Sequence, residues 1–576
     1  MIFRFLAVSL IISATAFAQG QPYPENYFRA PMDLPVHASG TFGELRNNHF
    51  HAGLDYRTNQ KEGYPVYAAA NGYVSRIKVS SYGYGTCLYI DHPNGYTTVY
   101  GHLSEYAPKI DAYVRAKQYE KQSFDIELFP QPGELPVTMG EEVALSGNTG
   151  GSGGPHLHFE YRDTKTEKII NPLFFGLRNK MIDKSAPDVY GLMAYAISDS
   201  AVINESAQPV RVAVKKQKDG TWLAGTLYAK GSIGLSVNTT DKSVGSLGHN
   251  GVYKIQVFVN DAPQFGYTFD KFSFDEGRYV NDLIDYEKYY DSGQRFQKLF
   301  ITTPQEGFSL LADNKTNGQI TVVPGNTIPY RIEVSDFHGN KTVINGTIVF
   351  SEALAKNISP QKVTPYYVDV NKEHNYSKNG VSVYIPAHTF YDSFYMDFDV
   401  KDSVLHLHEP KVPVHIPITV SFNVDGMPAE KLSKSFIACV SNRRIIYNSS
   451  YTEGSLLSAK VKQLGDFKIM QDTTAPKIFS PSFTTGKWLS SNKTFSLKIS
   501  DNLSGIATFN AWLNGKWILM HYDYKTRTIF HNFSDGVADD GRNDLKVVVT
   551  DNVGNSTTFE THFFRTQKSA SVENNN

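Results

Sequence analysis

Two distant stretches of this 576-residue chain read as copies of one unit, and that duplication constrains the fold more than any other feature. Asp183-Lys184-Ser185-Ala186-Pro187 and Asp472-Thr473-Thr474-Ala475-Pro476 look like one linker used twice. A central segment follows each, at 251–261 in the first copy and 505–515 in the second. Each copy then reaches a late Asp-x-x-Gly-Asn turn, Asp336 to Asn340 and Asp551 to Asn555. Short alternating runs between polar turns predict immunoglobulin-like β-sandwiches over 183–350 and 472–566. The first copy is longer and carries a helical or irregular insert around 282–296. Between the copies, 351–471 is β-rich but of no clear type, with strand signals such as Val381-Ser382-Val383-Tyr384-Ile385.

A chain of this length exceeds one core and predicts roughly three to five domains. The expected fold is mostly β: an N-terminal antiparallel sheet domain over 19–182, then the sandwiches. The abundance of Tyr (35) and Phe (36) at 20% charged residues suits sheets better than long helices. Lys and Arg (56) nearly balance Asp and Glu (57), which argues against a nucleic-acid partner held through a basic surface.

The first residues read as a secretory signal peptide over 1–18. Arg4 precedes an apolar run, and Ala16-Phe17-Ala18 is a small-x-small cleavage site before Gln19. The run is too short to span a bilayer comfortably, and no later stretch is apolar enough, so no transmembrane anchor is expected after cleavage. The expected location is periplasmic or secreted, associated with the cell envelope. Cys87 and Cys439 are isolated, which does not make a disulfide scaffold; Cys87 reads as a buried free thiol. The polar tail 567–576 is expected to be disordered.

The chemistry concentrates in the N-terminal domain. Gly154-Pro155-His156-Leu157-His158-Phe159-Glu160 follows a Gly-rich run. On a strand, His156 and His158 share one face while Leu157 and Phe159 turn to the other. Such a pair fits a metal site or a His-assisted hydrolytic site, and alone it also fits an ordinary strand. Upstream stand His51 and Asp55, where Gly53 argues for a loop entering a strand rather than a helix. His and Asp are both good Zn²⁺ ligands. His37 and His49 read as supporting or surface residues. A hairpin turning at Pro93-Asn94-Gly95 delivers His102 at its end. An insert at about 107–137 starts with a short amphipathic helix. In the middle unit, Leu405-His406-Leu407-His408-Glu409 repeats the His-x-His pattern, but without a His-x-x-x-Asp partner it reads as a polar strand face.

The His-x-x-x-Asp of His51 and Asp55, the Tyr100-Gly101-His102-Leu103 segment and the Thr-Gly-x-x-x-Gly-Pro-His-Leu-His-Phe-Glu run from Thr149 together resemble the lysostaphin/LytM-type zinc metalloendopeptidases. The resemblance covers about 37–175. It implies a duplicated hybrid motif fold with a narrow groove over one zinc ion. It implies His51, Asp55 and His158 as the zinc ligands. His102 and His156 become the catalytic pair that orients and deprotonates the metal-bound water and stabilises the oxyanion. The implied substrate is the peptide part of peptidoglycan. Chemistry read from the residues agrees: three protein ligands leave a fourth position open, and without a His-Glu-x-x-His helix a histidine is the natural general base. The insert bears on substrate range. The expected function is thus an exported zinc endopeptidase acting on peptidoglycan stem peptides or cross-links, with the sandwich domains contacting the wall or envelope proteins. Two alternatives stand beside it: a catalytically silent or regulatory module that activates another cell-wall hydrolase, and a peptidase of extracellular protein. Retention of all five residues favours the enzyme.

Overall fold

The computed structural model describes residues 23–242, 250–303, 308–356, 362–441 and 444–566. The signal peptide expected over 1–18 and the tail 567–576 lie outside the described residues. The chain is mostly β, with 46% strand and 9% helix.

The N-terminal sheet is ordered, from one edge, Ala38–Gly40, Leu54–Arg57, His156–Asp163, Tyr96–Gly101, Cys87–Asp91, Gly72–Val79 and Ile126–Leu128, all neighbours antiparallel. A small second sheet joins Pro65–Tyr67, Glu142–Leu145 and Glu105–Tyr106. The His156–Asp163 strand sits centrally because one face is wholly apolar: Leu157, Phe159 and Tyr161 are fully buried and pack with Leu54, Tyr56 and Tyr100. Alternation leaves His156, His158, Glu160 and Arg162 on the opposite face. The insert forms the helix Pro108–Lys121, started by Pro108 at its first position and ended by Gln122 in the left-handed region. Ile110 and Val114 turn its apolar side to the sheet domain.

The sheet domain does not close on itself. Phe42, Phe50 and Ala52, on the loop that carries His51, join the core of the following unit. The Phe42 ring lies tilted 4.8 Å from Phe272, and Phe50 lies 5.6 Å from Phe269. Ile169–Ile170 also pairs with Lys271–Phe272. The sequence pattern treats these units as separate; the aromatic loop joins them, because two phenylalanines on a peripheral loop need an apolar surface beyond their own sheet.

The duplicated units share a ladder. In the first, Lys341–Phe350, Thr327–Ser335, Lys254–Val259 and Ala262–Thr268 lie side by side; in the second, Ser556–Arg565, Gly541–Asp551, Ile506–Leu513 and Lys516–Ile518 do the same. The expected insert in the first copy is a run of short helices from Phe274 to Ser292. The unit between the copies contains two five-stranded sheets whose inner faces share one core, and a two-stranded pair of Tyr367–Val368 with Phe394–Tyr395. Cys87 and Cys439 are buried free thiols, and burial pushes Cys87 up to about 12.

Candidate metal centre

Strand register builds the site. On the central strand, His158 stands opposite Asp55 on one neighbour and Gly101 on the other, and His156 stands opposite Arg57. Asp55 and His158 are therefore cross-strand partners, and His102 follows one residue beyond the register. His51 reaches the same point from its loop. Gly53 makes that approach possible: a Cβ there would lie 2.4 Å from the Phe159 carbonyl oxygen and 3.0 Å from the His158 ring.

His51 Nε2 lies 3.0 Å from Asp55 Oδ1 and 3.1 Å from His158 Nδ1, and His158 Nδ1 lies 2.9 Å from Asp55 Oδ1. The opposite ring nitrogens are already engaged. His51 Nδ1 donates to the Thr41 carbonyl at 2.8 Å, and His158 Nε2 donates to Glu160 Oε1 at 2.9 Å. With those nitrogens engaged, His51 Nε2, His158 Nδ1 and Asp55 Oδ1 are left facing one another, an arrangement that suits a cation. Tetrahedral coordination with bonds of about 2.0–2.1 Å places ligand atoms about 3.3 Å apart, close to the spacing found. All three residues are buried, and they form one of the groups in the molecule that could hold a metal ion.

Two more imidazoles flank the group. His102 Nδ1 donates to the Thr149 carbonyl at 2.8 Å, and His156 Nδ1 donates to the Gly154 carbonyl at 2.8 Å, so both keep Nε2 free as acceptors. Their rings lie 4.8 Å apart, and His156 Nε2 is 3.4 Å from Asp55 Oδ1. His102 has φ 60°, a left-handed conformation that a non-glycine residue rarely adopts and that concentrates at functional sites. Burial, with His158 and His156 alongside, lowers His102 to about 3, which keeps it neutral. Burial alone would lower His158, but its bonds to Asp55 and Glu160 hold it up at about 9 when no metal takes its Nδ1. Burial would raise Asp55, yet His51, His156 and His158 around it hold it well below the usual carboxylate range.

The five residues singled out in the sequence thus converge, and His37 and His49 stay exposed outside the group. Sequence reading gave no role to Glu160, Arg162, Tyr84 and Arg46. Glu160 is fully buried; it takes the His158 proton, the Tyr84 hydroxyl and, at 2.7 Å, Arg162 Nε. The Tyr84 ring stacks on His158 at 4.9 Å. Arg46 Nη2 pairs with the outer oxygen of Asp55 at 3.1 Å. Strand alternation from His158 carries the signal for Glu160 and Arg162; Tyr84 sits in a turn and Arg46 on the short strand Leu45–Arg46, and neither leaves one. In the middle unit His406 points outward to Asp466 at 2.8 Å, while Leu405 and Leu407 are buried, as expected for a polar strand face. The helix of the insert lines one cavity with the Gly-rich loop at Asn148–Thr149 and the last unit, where Lys525 Nζ is 3.1 Å from Asn148 Oδ1.

Residues 49–119 match Peptidase family M23, and residues 365–472 match the Zu5-like domain, which gives a type to the middle unit. An uncharacterized metalloprotease of Haemophilus influenzae is 32% identical over 161 residues, covering 27% of this chain and 28% of that protein. The peptidoglycan DD-endopeptidase ShyA of Vibrio cholerae is 30% identical over 162 residues, 26% of this chain and 32% of that protein. A crystal structure of a zinc containing peptidase from Vibrio cholerae is 29% identical over 23% of this chain and 37% of that one, with a TM-score of 0.17. The chain spans less than a third of the length of either curated relative. The chain carries a Peptidase family M23 domain as its N-terminal domain, followed by further β-sheet domains that include a Zu5-like one.

Proposed function

We propose that this chain is an exported zinc metalloendopeptidase that hydrolyses peptide bonds in peptidoglycan stem peptides or cross-links. The observation that carries the proposal is the meeting of His51 Nε2, Asp55 Oδ1 and His158 Nδ1 at 2.9–3.1 Å from one another, with both ring protons committed elsewhere. Two imidazoles and one carboxylate suit zinc and leave the open position a hydrolytic site needs. Zinc held there supplies Lewis acidity toward a scissile carbonyl and lowers the pKa of water to about 7.

The chain's own groups do the rest. Neutral His102, its Nδ1 proton held by the Thr149 carbonyl, presents Nε2 to accept a proton. His156 presents Nε2 3.4 Å from Asp55 Oδ1, and a proton delivered to it can be donated to the developing oxyanion. Glu160 fixes the ring of His158, and the Thr41 carbonyl fixes that of His51. The substrate class is taken from the Vibrio cholerae peptidoglycan DD-endopeptidase, matched over 32% of its length. Export rests on the signal pattern at 1–18; among the described residues no helix is long and apolar enough to cross a membrane.

The test is digestion of purified peptidoglycan with the products read by mass spectrometry. Wild-type protein is expected to release new peptide ends. His102→Ala and His156→Ala should keep their zinc and lose about 10²–10⁴-fold in turnover. Absence of product from zinc-loaded wild type, or full activity of His102→Ala, contradicts the assignment.

A further inference from the structure

Away from the peptidase domain, acidic side chains converge at two places, and the two are equivalent positions of the duplicated units. Asp472, Asp501 and Asp551 offer oxygens that all lie within 4.8 Å of one another. In the first copy Asp183 and Asp336 meet likewise, with His338 beside them. Strand register fixes the correspondence. Asp188 pairs with Thr240 and Lys477 with Ser500, so Asp183 and Asp241 stand where Asp472 and Asp501 stand. Asp336 and Asp551 open the two Asp-x-x-Gly-Asn turns. From those turns Asn340 and Asn555 donate to the carbonyls of Asp183 and Asp472, at 3.4 and 2.8 Å. Thr342 and Thr557 donate to the carbonyls of Pro187 and Pro476.

The second corner therefore gathers three aspartates from three separate segments; in the first, Asp241 stands at the equivalent register position, beside the group that Asp183 and Asp336 form with His338. Asp241 and Asp336 are 4% exposed, Asp472 1% and Asp551 2%, and none of the six forms an ion pair with Lys or Arg among the described residues. Burying carboxylates without a counter-charge is costly. Backbone N–H groups satisfy part of the set: Asp472 takes those of Thr474 and Ser504, Asp551 those of Val553 and Asn555, and Asp501 Oδ2 those of Leu503 and Gly505. The remainder points to a ligand. Asp241 Oδ1 and Asp501 Oδ1, the equivalent pair, are buried with no hydrogen-bond partner among the described residues, and so is Asp183 Oδ2. Asp241 also faces the like charges of Asp183 and Asp336. Beside Asp472, the hydroxyl of Ser504, a residue 2% exposed, is equally without a partner.

We propose that each corner is a Ca²⁺ site, formed by Asp183, Asp241 and Asp336 in the first copy and by Asp472, Asp501 and Asp551 in the second. A carboxylate-rich set of oxygens in irregular geometry suits Ca²⁺ over zinc or magnesium. His338, a nitrogen donor, is a neighbour of the first site and not a ligand. Asp183 and Asp472 belong to the linkers that lead into the two units, so each ion ties its linker to two loops of the unit it enters. Calcium thereby sets how each duplicated unit is joined to the domain before it.

The test is Ca²⁺ titration of the zinc-loaded full chain by calorimetry, with bound ions counted by equilibrium dialysis. Two Ca²⁺ per chain are expected, with dissociation constants of about 1 mM or below, as oxygen-ligated extracellular modules show. Asp241→Asn and Asp501→Asn should each lose one ion, and the double variant both. Zinc content and the far-UV circular dichroism spectrum should stay unchanged, which shows that the variants are folded. The melting temperature of wild type should rise with Ca²⁺, and the rise should shrink in each variant. No uptake by wild type at millimolar Ca²⁺, two ions retained in both single variants, or displacement of Ca²⁺ by an equal concentration of Mg²⁺ would overturn the proposal.

Discussion

Substitution of Glu160 by Gln separates what holds the metal from what holds the fold. Glu160 is fully buried; one oxygen takes the His158 Nε2 proton at 2.9 Å and the other takes Arg162 Nε at 2.7 Å. Burial alone would raise this carboxyl, but the Arg162 guanidinium and the His158 imidazole bring it down to about 2, so it is charged throughout the physiological range. Gln keeps the shape and removes the charge. The first consequence falls on the metal: a ligand histidine that loses its carboxylate partner typically costs about 10–100-fold in metal affinity. The second falls on the fold, because Arg162 is left buried with the exposed Glu167, at 3.2 Å, as its one remaining carboxylate among the described residues, beside the Tyr89 and Phe274 rings. Breaking a buried pair costs about 3–5 kcal/mol, and the remaining contact puts this case near the lower end. Zinc affinity is read by chelator competition, and stability by urea unfolding of the metal-free protein. Adding Arg162→Gln should recover part of the stability and none of the zinc affinity. Zinc binding by Glu160→Gln within twofold of wild type would refute the orienting role, and joint recovery in the double variant would show the two effects to be one.

Further outcomes follow from the same geometry. His51→Ala, Asp55→Ala and His158→Ala should each abolish stable zinc loading, measured by elemental analysis. His158 in the metal-free protein is held at about 9, above the ordinary imidazole value of about 6.5. Its contribution, at most about 3 kcal/mol, is therefore fully present below pH 6.5 and is lost as pH rises toward 9, which urea midpoints in the presence of a chelator will show. Zinc replaces that proton, so zinc affinity should climb over the same window, with proton release detectable by calorimetry in buffers of different ionisation enthalpy. Gly53→Ala should cost about 1–3 kcal/mol by overpacking against the Phe159 carbonyl and should weaken zinc binding as His51 and Asp55 are pushed apart. His406→Ala, on an exposed strand face, should change stability by no more than about 0.5 kcal/mol and leave zinc content untouched.

Much of the site was legible because strand alternation is strict. Once His156 and His158 share a face, Leu157, Phe159 and Tyr161 must share the other, and the core bears this out. The same rule carries Glu160 and Arg162 onto the functional face, yet a charged pair on a strand reads equally well as solvent-facing until its burial is known. The duplication was legible from its linkers and late turns, and the matching ladders agree with it. Asp241 and Asp501 were not, since their place opposite Asp183 and Asp472 depends on strand register. Phe42 and Phe50 announce that they are buried, but nothing in their neighbourhood names Phe269 and Phe272 as the surface that receives them. The type of the middle unit stayed open for a similar reason: alternating strands specify two layers without specifying how they connect.

Asp55 touches His51, His156 and His158 at once. The decisive measurement is hydrolysis of purified peptidoglycan by zinc-reconstituted wild type and Asp55→Ala side by side. The expected result is peptide release by wild type with one zinc per chain and none by Asp55→Ala. Undiminished hydrolysis by Asp55→Ala, or wild-type hydrolysis without bound zinc, would contradict the proposed centre.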